Sequence, residues 1–160
     1  MVVDGEVPAN LYFIPGLSDL VSPQDIDKDH FSAVLMVDCG EPQRCGTWLE
    51  PMLSGKRLFC LDHHSTNEFV GEVAVIEPQA VAAGEIVCAI CQEAGLNFDD
   101  DSALSLYTAI AGDTGCFRYL NTTPRCLNQC ATLLPQVDFE LIRIQLFATS
   151  QVQKYSSRHY

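Results

Sequence analysis

Two short apolar runs, Ala33-Val34-Leu35-Met36-Val37 and Leu58-Phe59-Cys60-Leu61, each run straight into a carboxylate, Asp38 and Asp62. A run that is apolar at successive positions predicts a strand buried on both faces, and such strands belong to parallel sheets. Open parallel sheets collect ligands outside the carboxyl ends of their strands. Asp38 and the Asp62-His63-His64 triplet are therefore predicted to face one crevice. Glu72-Val73-Ala74-Val75-Ile76, closed by Glu77-Pro78, reads as a third strand. Leu11-Tyr12-Phe13-Ile14 is a further β-prone run, stopped by Pro15-Gly16, and the polar stretch Ser18 to His30 reads as a helical turn or loop.

Helical patterns fill the second half. Residues Val81 to Ala94 place Ala83, Ile86, Val87, Ile90 and Ala94 on one face, and Gly95 is a C-terminal stop. Asp99-Asp100-Asp101 precede a helix carrying Leu106, Tyr107 and Ile110 to about Gly112, where acidic residues suit the positive helix end. Thr123-Pro124 opens another helix with Pro at its first turn. Phe139 to Thr149 is the last, with Phe139, Ile142 and Leu146 at helical spacing. Strands first and helices after predict one α/β domain, a largely parallel sheet flanked by helices.

Composition narrows the partners. The chain carries 9 basic and 21 acidic residues, a net charge of -12. Long nucleic acid is held chiefly by Lys and Arg on phosphates, so a long duplex is excluded as a partner and a small phosphorylated substrate steered by metal is favoured. No apolar run reaches the ~18 residues of a membrane helix. Met1 to Asn10 contains Asp4 and Glu6 and no basic residue, the reverse of a signal peptide. The expected compartment is the cytoplasm, with no membrane partner. There the eight cysteines are expected to be reduced, with Cys39, Cys60, Cys88, Cys91, Cys126 and Cys130 serving as small apolar residues. Cys88-Ala89-Ile90-Cys91 lies inside a predicted helix, away from the N-terminal position that stabilises thiolates. It is read as coincidence rather than as a redox or zinc motif.

Gly112-Asp113-Thr114-Gly115 adds a third carboxylate, set between glycines after an apolar helix. Carboxylate oxygens and imidazole nitrogens without thiolate suit manganese, magnesium or iron better than structural zinc. Taken singly, Asp38 could be a turn residue, Asp62 a turn cap, His63-His64 polar loop residues and Asp113 part of a helix terminus. Three such sites in compatible positions outweigh each separate reading.

The three motifs together resemble the DHH phosphoesterases. Leu61-Asp62-His63-His64 is similar to the signature that names them. Val37-Asp38-Cys39-Gly40 is similar to their preceding strand-end motif, and Gly112 to Tyr119 with Asn121-Thr122-Thr123-Pro124 to their later one. The wording is nearest the bacterial oligoribonuclease and phosphoadenosine-phosphate phosphatase group, as are Glu77-Pro78 and Ala82-Ala83-Gly84-Glu85. The resemblance runs from about Tyr12 to Thr149. It implies hydrolysis of short oligoribonucleotides or small phosphorylated nucleotides by a two-metal-activated water. The cofactor is two manganese ions, with magnesium as the alternative. By resemblance Asp38 bridges the metals, and His63 and Asp113 bind the second. His64 meets substrate phosphate or helps hold the site. Asp62 orients an imidazole without touching metal. Arg118 contacts phosphate, or else forms only a surface salt bridge.

Two family features have no counterpart. The family's opening strand and His-x-x-x-Asp-x-Asp loop match nothing here, and Asp25-Ile26-Asp27-Lys28-Asp29-His30 reads as a solvated turn or helix start. The glycine-rich C-terminal substrate domain is also unmatched. The expectation is that residues 1–160 form an incomplete DHH catalytic domain, inactive alone, whose parent enzyme works on a short RNA oligomer or small nucleotide. A homodimer is compatible with it. The rivals are a cyclic-dinucleotide phosphodiesterase or pyrophosphatase of the same class, an exonuclease on single-stranded DNA, and a catalytically inactive nucleotide-binding or interaction module.

Overall fold

The computed structural model describes residues 1–69 and 71–148. Three parallel strands form the sheet in the order β1-β2-β3: β1 Ala33–Val37, β2 Arg57–Asp62 and β3 Val73–Ile76. Val37 pairs with Leu61, and Asp62 with Ile76. This register brings the Asp38 and Asp62 ends of the two apolar runs to the same edge. A single helical turn, α1 (Leu49–Met52), lies between β1 and β2. The helices α2 (Ala83–Glu93), α3 (Asp100–Asp113), α4 (Pro124–Leu133) and α5 (Phe139–Ile142) follow. The fold is α/β, a parallel sheet flanked by helices. No described helix is long and apolar enough to cross a membrane.

The helix ends form where the sequence places their signals. The Asp99 carboxylate accepts from Ser102 N at 2.8 Å, and the Thr123 hydroxyl accepts from Cys126 N at 3.2 Å with Pro124 in the first turn. Each cap satisfies a backbone donor that the helix cannot. Gly95 closes α2 at φ +68°, a conformation open to glycine without cost.

The core has two parts joined by α2. Leu61, Ala80, Ala83 and Ile86 bind α2 to the sheet. Val81, Cys88, Tyr107, Ile110, Cys126, Leu133 and Ile142 join the helices to one another. Burying Ile86 and Ile110 completely contributes roughly 1.5–3 kcal/mol each.

Four expectations are corrected. Leu11 to Ile14 is not a strand. Leu11 N and Ile14 N bond to Pro8 O and Leu11 O in tight turns, and Phe13 packs on the helical core. The buried side of α2 carries Ala83, Gly84, Glu85, Ile86 and Cys88, while Ile90 and Ala94 are exposed, because the side meeting α3 and α4 sets Gly84 against Ala109 and Glu85 against Gln129. The last helix turns from α into a π segment at Arg143–Ala148; its expected end, Thr149, lies outside the described residues. β1 is not buried on both faces: Met36 faces inward, but Leu35 is 60% and Val37 49% exposed. They border an apolar groove with Ile26, Phe31, Trp48 and Met52, since the described residues leave that face of the sheet uncovered. Asp25 to His30 forms exposed turns, with Asp27 accepting from Asp29 N and facing the His30 ring at 3.0 Å. All eight cysteines are free, and burial pushes the Cys88 thiol up to about 11.

Candidate metal centre

Asp38 ends β1 in the left-handed region, φ 59°, which Asp tolerates better than most residues. Its N–H still bonds Leu61 O at 2.9 Å, so the chain leaves the sheet abruptly with the carboxylate at the strand's carboxyl end. Gly40 then lets the chain pass the Asn67 side chain; a Cβ there would lie 2.4 Å from Asn67 Cγ.

Asp113 arrives from the other side, at the last turn of α3. The buried Thr114 hydroxyl donates to Ile110 O at 2.7 Å and accepts from Phe117 N at 3.1 Å. Gly115, Cys116 and Phe117 follow, all left-handed with φ between 52° and 62°. A Cβ on Gly115 would come within 2.4 Å of the Tyr119 ring. This reversal fixes where α3 delivers its last carboxylate, and Asn121 Nδ2 bonds the Asp113 carbonyl at 3.0 Å.

Between these carboxylates stands His63. Its Nε2 lies 3.2 Å from Asp38 Oδ1 and 3.7 Å from Asp113 Oδ2. Its Nδ1 lies 3.2 Å from the Ala80 carbonyl oxygen, which fixes Nδ1 as the donor and leaves Nε2 to face the carboxylates. His64 Nδ1 is 3.7 Å from Asp38 Oδ1 and 2.7 Å from Asp62 Oδ1. One ligand atom from each of Asp38, Asp62, His63 and His64 can be chosen with all four within 4.8 Å of one another.

Asp62 is fully buried and its oxygens are engaged. Oδ1 accepts from His63 N at 2.7 Å, from His64 N at 3.3 Å and pairs with the His64 ring; Oδ2 accepts from Asn67 Nδ2 at 2.6 Å. Burial pushes this carboxyl up, but the His64 ring, Asn67 and the two backbone N–H groups outweigh it and hold it below 3.8. A depressed carboxyl stabilises the fold above its unfolded value, and that contribution disappears as pH falls through the folded value. Asp62→Asn should therefore be less stable than the natural chain at neutral pH, with the gap narrowing below pH 3.8. Urea unfolding of both chains across the acid range checks this; a gap independent of pH would contradict it.

Burial, and next the nearby charge of Asp38, push the Asp113 carboxyl above 3.8, with His63 and His64 partly offsetting them. Two carboxylates repelling one another across an imidazole nitrogen form a site that a cation would relieve. Adjacent ligands of one octahedral ion, at ~2.1 Å each, stand about 3 Å apart. The spacings around His63 Nε2 fit that arrangement, and the donor set of carboxylate and imidazole fits manganese or magnesium. Arg118 is exposed on the loop that follows α3, its Nε donating to Gly115 O at 2.7 Å. The sequence patterns did not single out Asn67 or the Ala80 carbonyl. Both act through hydrogen bonds made across loops, for which a local pattern carries no signal.

No family model matches the chain. It is 33% identical over 131 residues to the probable bifunctional oligoribonuclease and PAP phosphatase NrnA of Streptococcus mutans, spanning 81% of this chain and 41% of that protein. Its counterpart in Thermus thermophilus is 32% identical over 79% of this chain and 38% of its own length. That of Bacillus subtilis is 26% identical over 75% and 39%. The chain thus spans about two fifths of the length of these curated relatives. An exopolyphosphatase-related protein from Bacteroides fragilis shares the fold, with a TM-score of 0.83 at 18% identity over 92% of this chain and 46% of that one. Over about four fifths of its length the chain is therefore similar to the curated proteins named bifunctional oligoribonuclease and PAP phosphatase.

Proposed function

We propose that this chain forms part of the catalytic domain of a manganese-dependent phosphodiesterase or phosphomonoesterase that hydrolyses short oligoribonucleotides or small nucleotides such as PAP. The observation that carries the reading is the meeting of Asp38, His63 and Asp113 at the carboxyl edge of the sheet, with 3.2 Å and 3.7 Å between the imidazole nitrogen and the two carboxylates. Asp38, His63 and Asp113 would hold the metal. A two-ion site, when loaded, activates a water and clamps the attacking and leaving oxygens of phosphate.

The residues around that centre divide the remaining work. Asp62, with its oxygens engaged, orients His64 and the backbone of the His63-His64 step. His64, less buried than His63 and bonded at Nδ1 to Asp62, would meet a phosphate oxygen. Arg118, on the loop after α3, would supply a cation for the same phosphate. A net charge of -12 disfavours long nucleic acid and leaves recognition to a few phosphates at the centre.

The test is a chimera in which these residues replace the matched segment of the Bacillus subtilis relative. Manganese-dependent release of mononucleotide from a short RNA oligomer is expected from the chimera and not from the 160-residue chain alone. Loss of Asp113 in Asp113→Ala removes a ligand worth several kcal/mol, so turnover should fall roughly a hundredfold or more. Equal turnover by the chain and the chimera, or an unaffected Asp113→Ala chimera, would sink the reading.

A further inference from the structure

Glu85 is a buried carboxylate that the site described above does not use. It sits in the first turn of α2, completely removed from solvent. Its Oε2 accepts the Val81 backbone N–H at 2.6 Å, and its Oε1 stands 3.3 Å from Arg125 Nε. Arg125 comes from the first turn of α4 and also pairs with Glu77 at 2.8 Å, just beyond β3. Gln129, one turn further along α4, donates to the Glu85 carbonyl at 3.2 Å. The Glu85 carboxylate is thus tied to the loop before α2 and to α4, and its backbone carbonyl to α4 again.

The Val81 N–H belongs to the same peptide group as the Ala80 carbonyl, and that carbonyl faces His63 Nδ1 at 3.2 Å. One planar peptide therefore has Glu85 at its N–H end and the candidate metal-binding histidine at its C=O end. A carboxylate drawing on the N–H polarises the peptide and makes its oxygen a stronger acceptor, because linked hydrogen bonds reinforce one another. A stronger acceptor at Nδ1 holds the ring orientation and raises the basicity of Nε2, the effect that a carboxylate has when it bonds a metal histidine directly. Nε2 is the nitrogen that faces Asp38 and Asp113.

We infer that Glu85 is a positioning residue for the metal centre, acting on His63 through the Ala80–Val81 peptide, with Arg125 neutralising its buried charge. The inference rests on the metal reading proposed above. It assigns a role to a residue 22 positions along the chain from the histidine it serves, on a different element.

Manganese uptake by the purified chain, followed by the loss of the free-ion electron paramagnetic resonance signal, tests it together with thermal unfolding. Glu85→Gln keeps the side-chain shape and an oxygen for Val81 N–H but removes the charge. Glu85→Leu removes both. Loss of a partner behind a metal histidine costs ~10–100-fold in affinity, so Glu85→Gln should bind manganese about 10-fold more weakly and Glu85→Leu closer to 100-fold. Manganese affinity unchanged in Glu85→Gln, whatever its melting temperature, would overturn the relay, since a purely structural carboxylate would move stability alone. If the natural chain takes up no manganese, the metal reading fails and Glu85 is judged on the His63 ring. A ¹⁵N spectrum of the metal-free chain should then show the Nδ1–H bond to Ala80 in the natural chain and its weakening in Glu85→Gln. Identical His63 spectra would overturn the inference.

Discussion

Asp38→Ala is expected to abolish stoichiometric manganese uptake by this chain. The Asp38 carboxylate lies near both imidazoles, 3.2 Å from His63 Nε2 and 3.7 Å from His64 Nδ1. Asp62 cannot replace it, because its oxygens are held by His63, His64 and Asn67. Without Asp38 the cation keeps one imidazole and one carboxylate, and the remaining positions fall to water. The loss of a charged oxygen ligand should weaken binding by roughly a hundredfold or more, several kcal/mol at 1.4 kcal/mol per factor of ten. The backbone offers a control. Asp38 has φ 59°, where Ala is strained and Gly is not, by about 1 kcal/mol. Asp38→Gly should thus be more stable than Asp38→Ala by about that amount, while both lose the metal. Calorimetric titration and urea unfolding separate the two effects. An affinity in either variant close to that of the natural chain would remove Asp38 from the site.

Arg125→Leu is expected to cause the largest loss of stability among surface-accessible positions. Glu85 is fully buried, and Arg125 is its cationic partner. Removing one member of a buried pair leaves an uncompensated charge at a cost of about 3–5 kcal/mol. Arg125 is itself half-exposed, so water can reach part of the gap and about 3 kcal/mol is the better expectation. Its second pair, with half-exposed Glu77, adds little. At this chain length the melting temperature should fall by roughly 10 °C. Joining Glu85→Leu to Arg125→Leu should recover a good part of that loss, since no buried charge then remains, yet manganese affinity should stay low because the peptide has lost its carboxylate. Denaturant unfolding of the two single variants and the double variant gives the comparison. A drop below about 1 kcal/mol in Arg125→Leu would mean that Glu85 is neutralised in another way.

The Glu85 arrangement accounts for why the helical half of the chain bears on chemistry placed at the sheet. α4 contributes Arg125 and Gln129, α2 contributes Glu85, and the loop between β3 and α2 contributes the Ala80–Val81 peptide. The packing that forms the helical core therefore also fixes the carbonyl that faces His63.

Much of this was legible in the sequence. Apolar runs of strand length ending in Asp38 and Asp62 need a sheet that removes them from water, and their parallel pairing follows from the helical segments in the chain. Helix starts at Asp99 and Thr123-Pro124 are local events, set by side chains that reach backbone donors three residues away. The same locality made the Asp38, Asp62-His63-His64 and Asp113 motifs readable, since each lies within a few consecutive residues. Tertiary structure alone decided the rest. Periodicity marks an apolar face but not what covers it, so Leu35 and Val37 ended exposed and α2 turned Glu85 and Cys88 inward in place of Ile90 and Ala94. A β-prone Leu11 to Ile14 became turns because Phe13 found the helical core rather than a neighbouring strand. Hydrogen bonds spanning 17 residues from His63 to Ala80 and 44 from Gln129 to Glu85 leave no periodic trace. Their partners are chosen only when packed elements bring distant backbone and buried charge together, where each must find a counterpart or be left unsatisfied out of water.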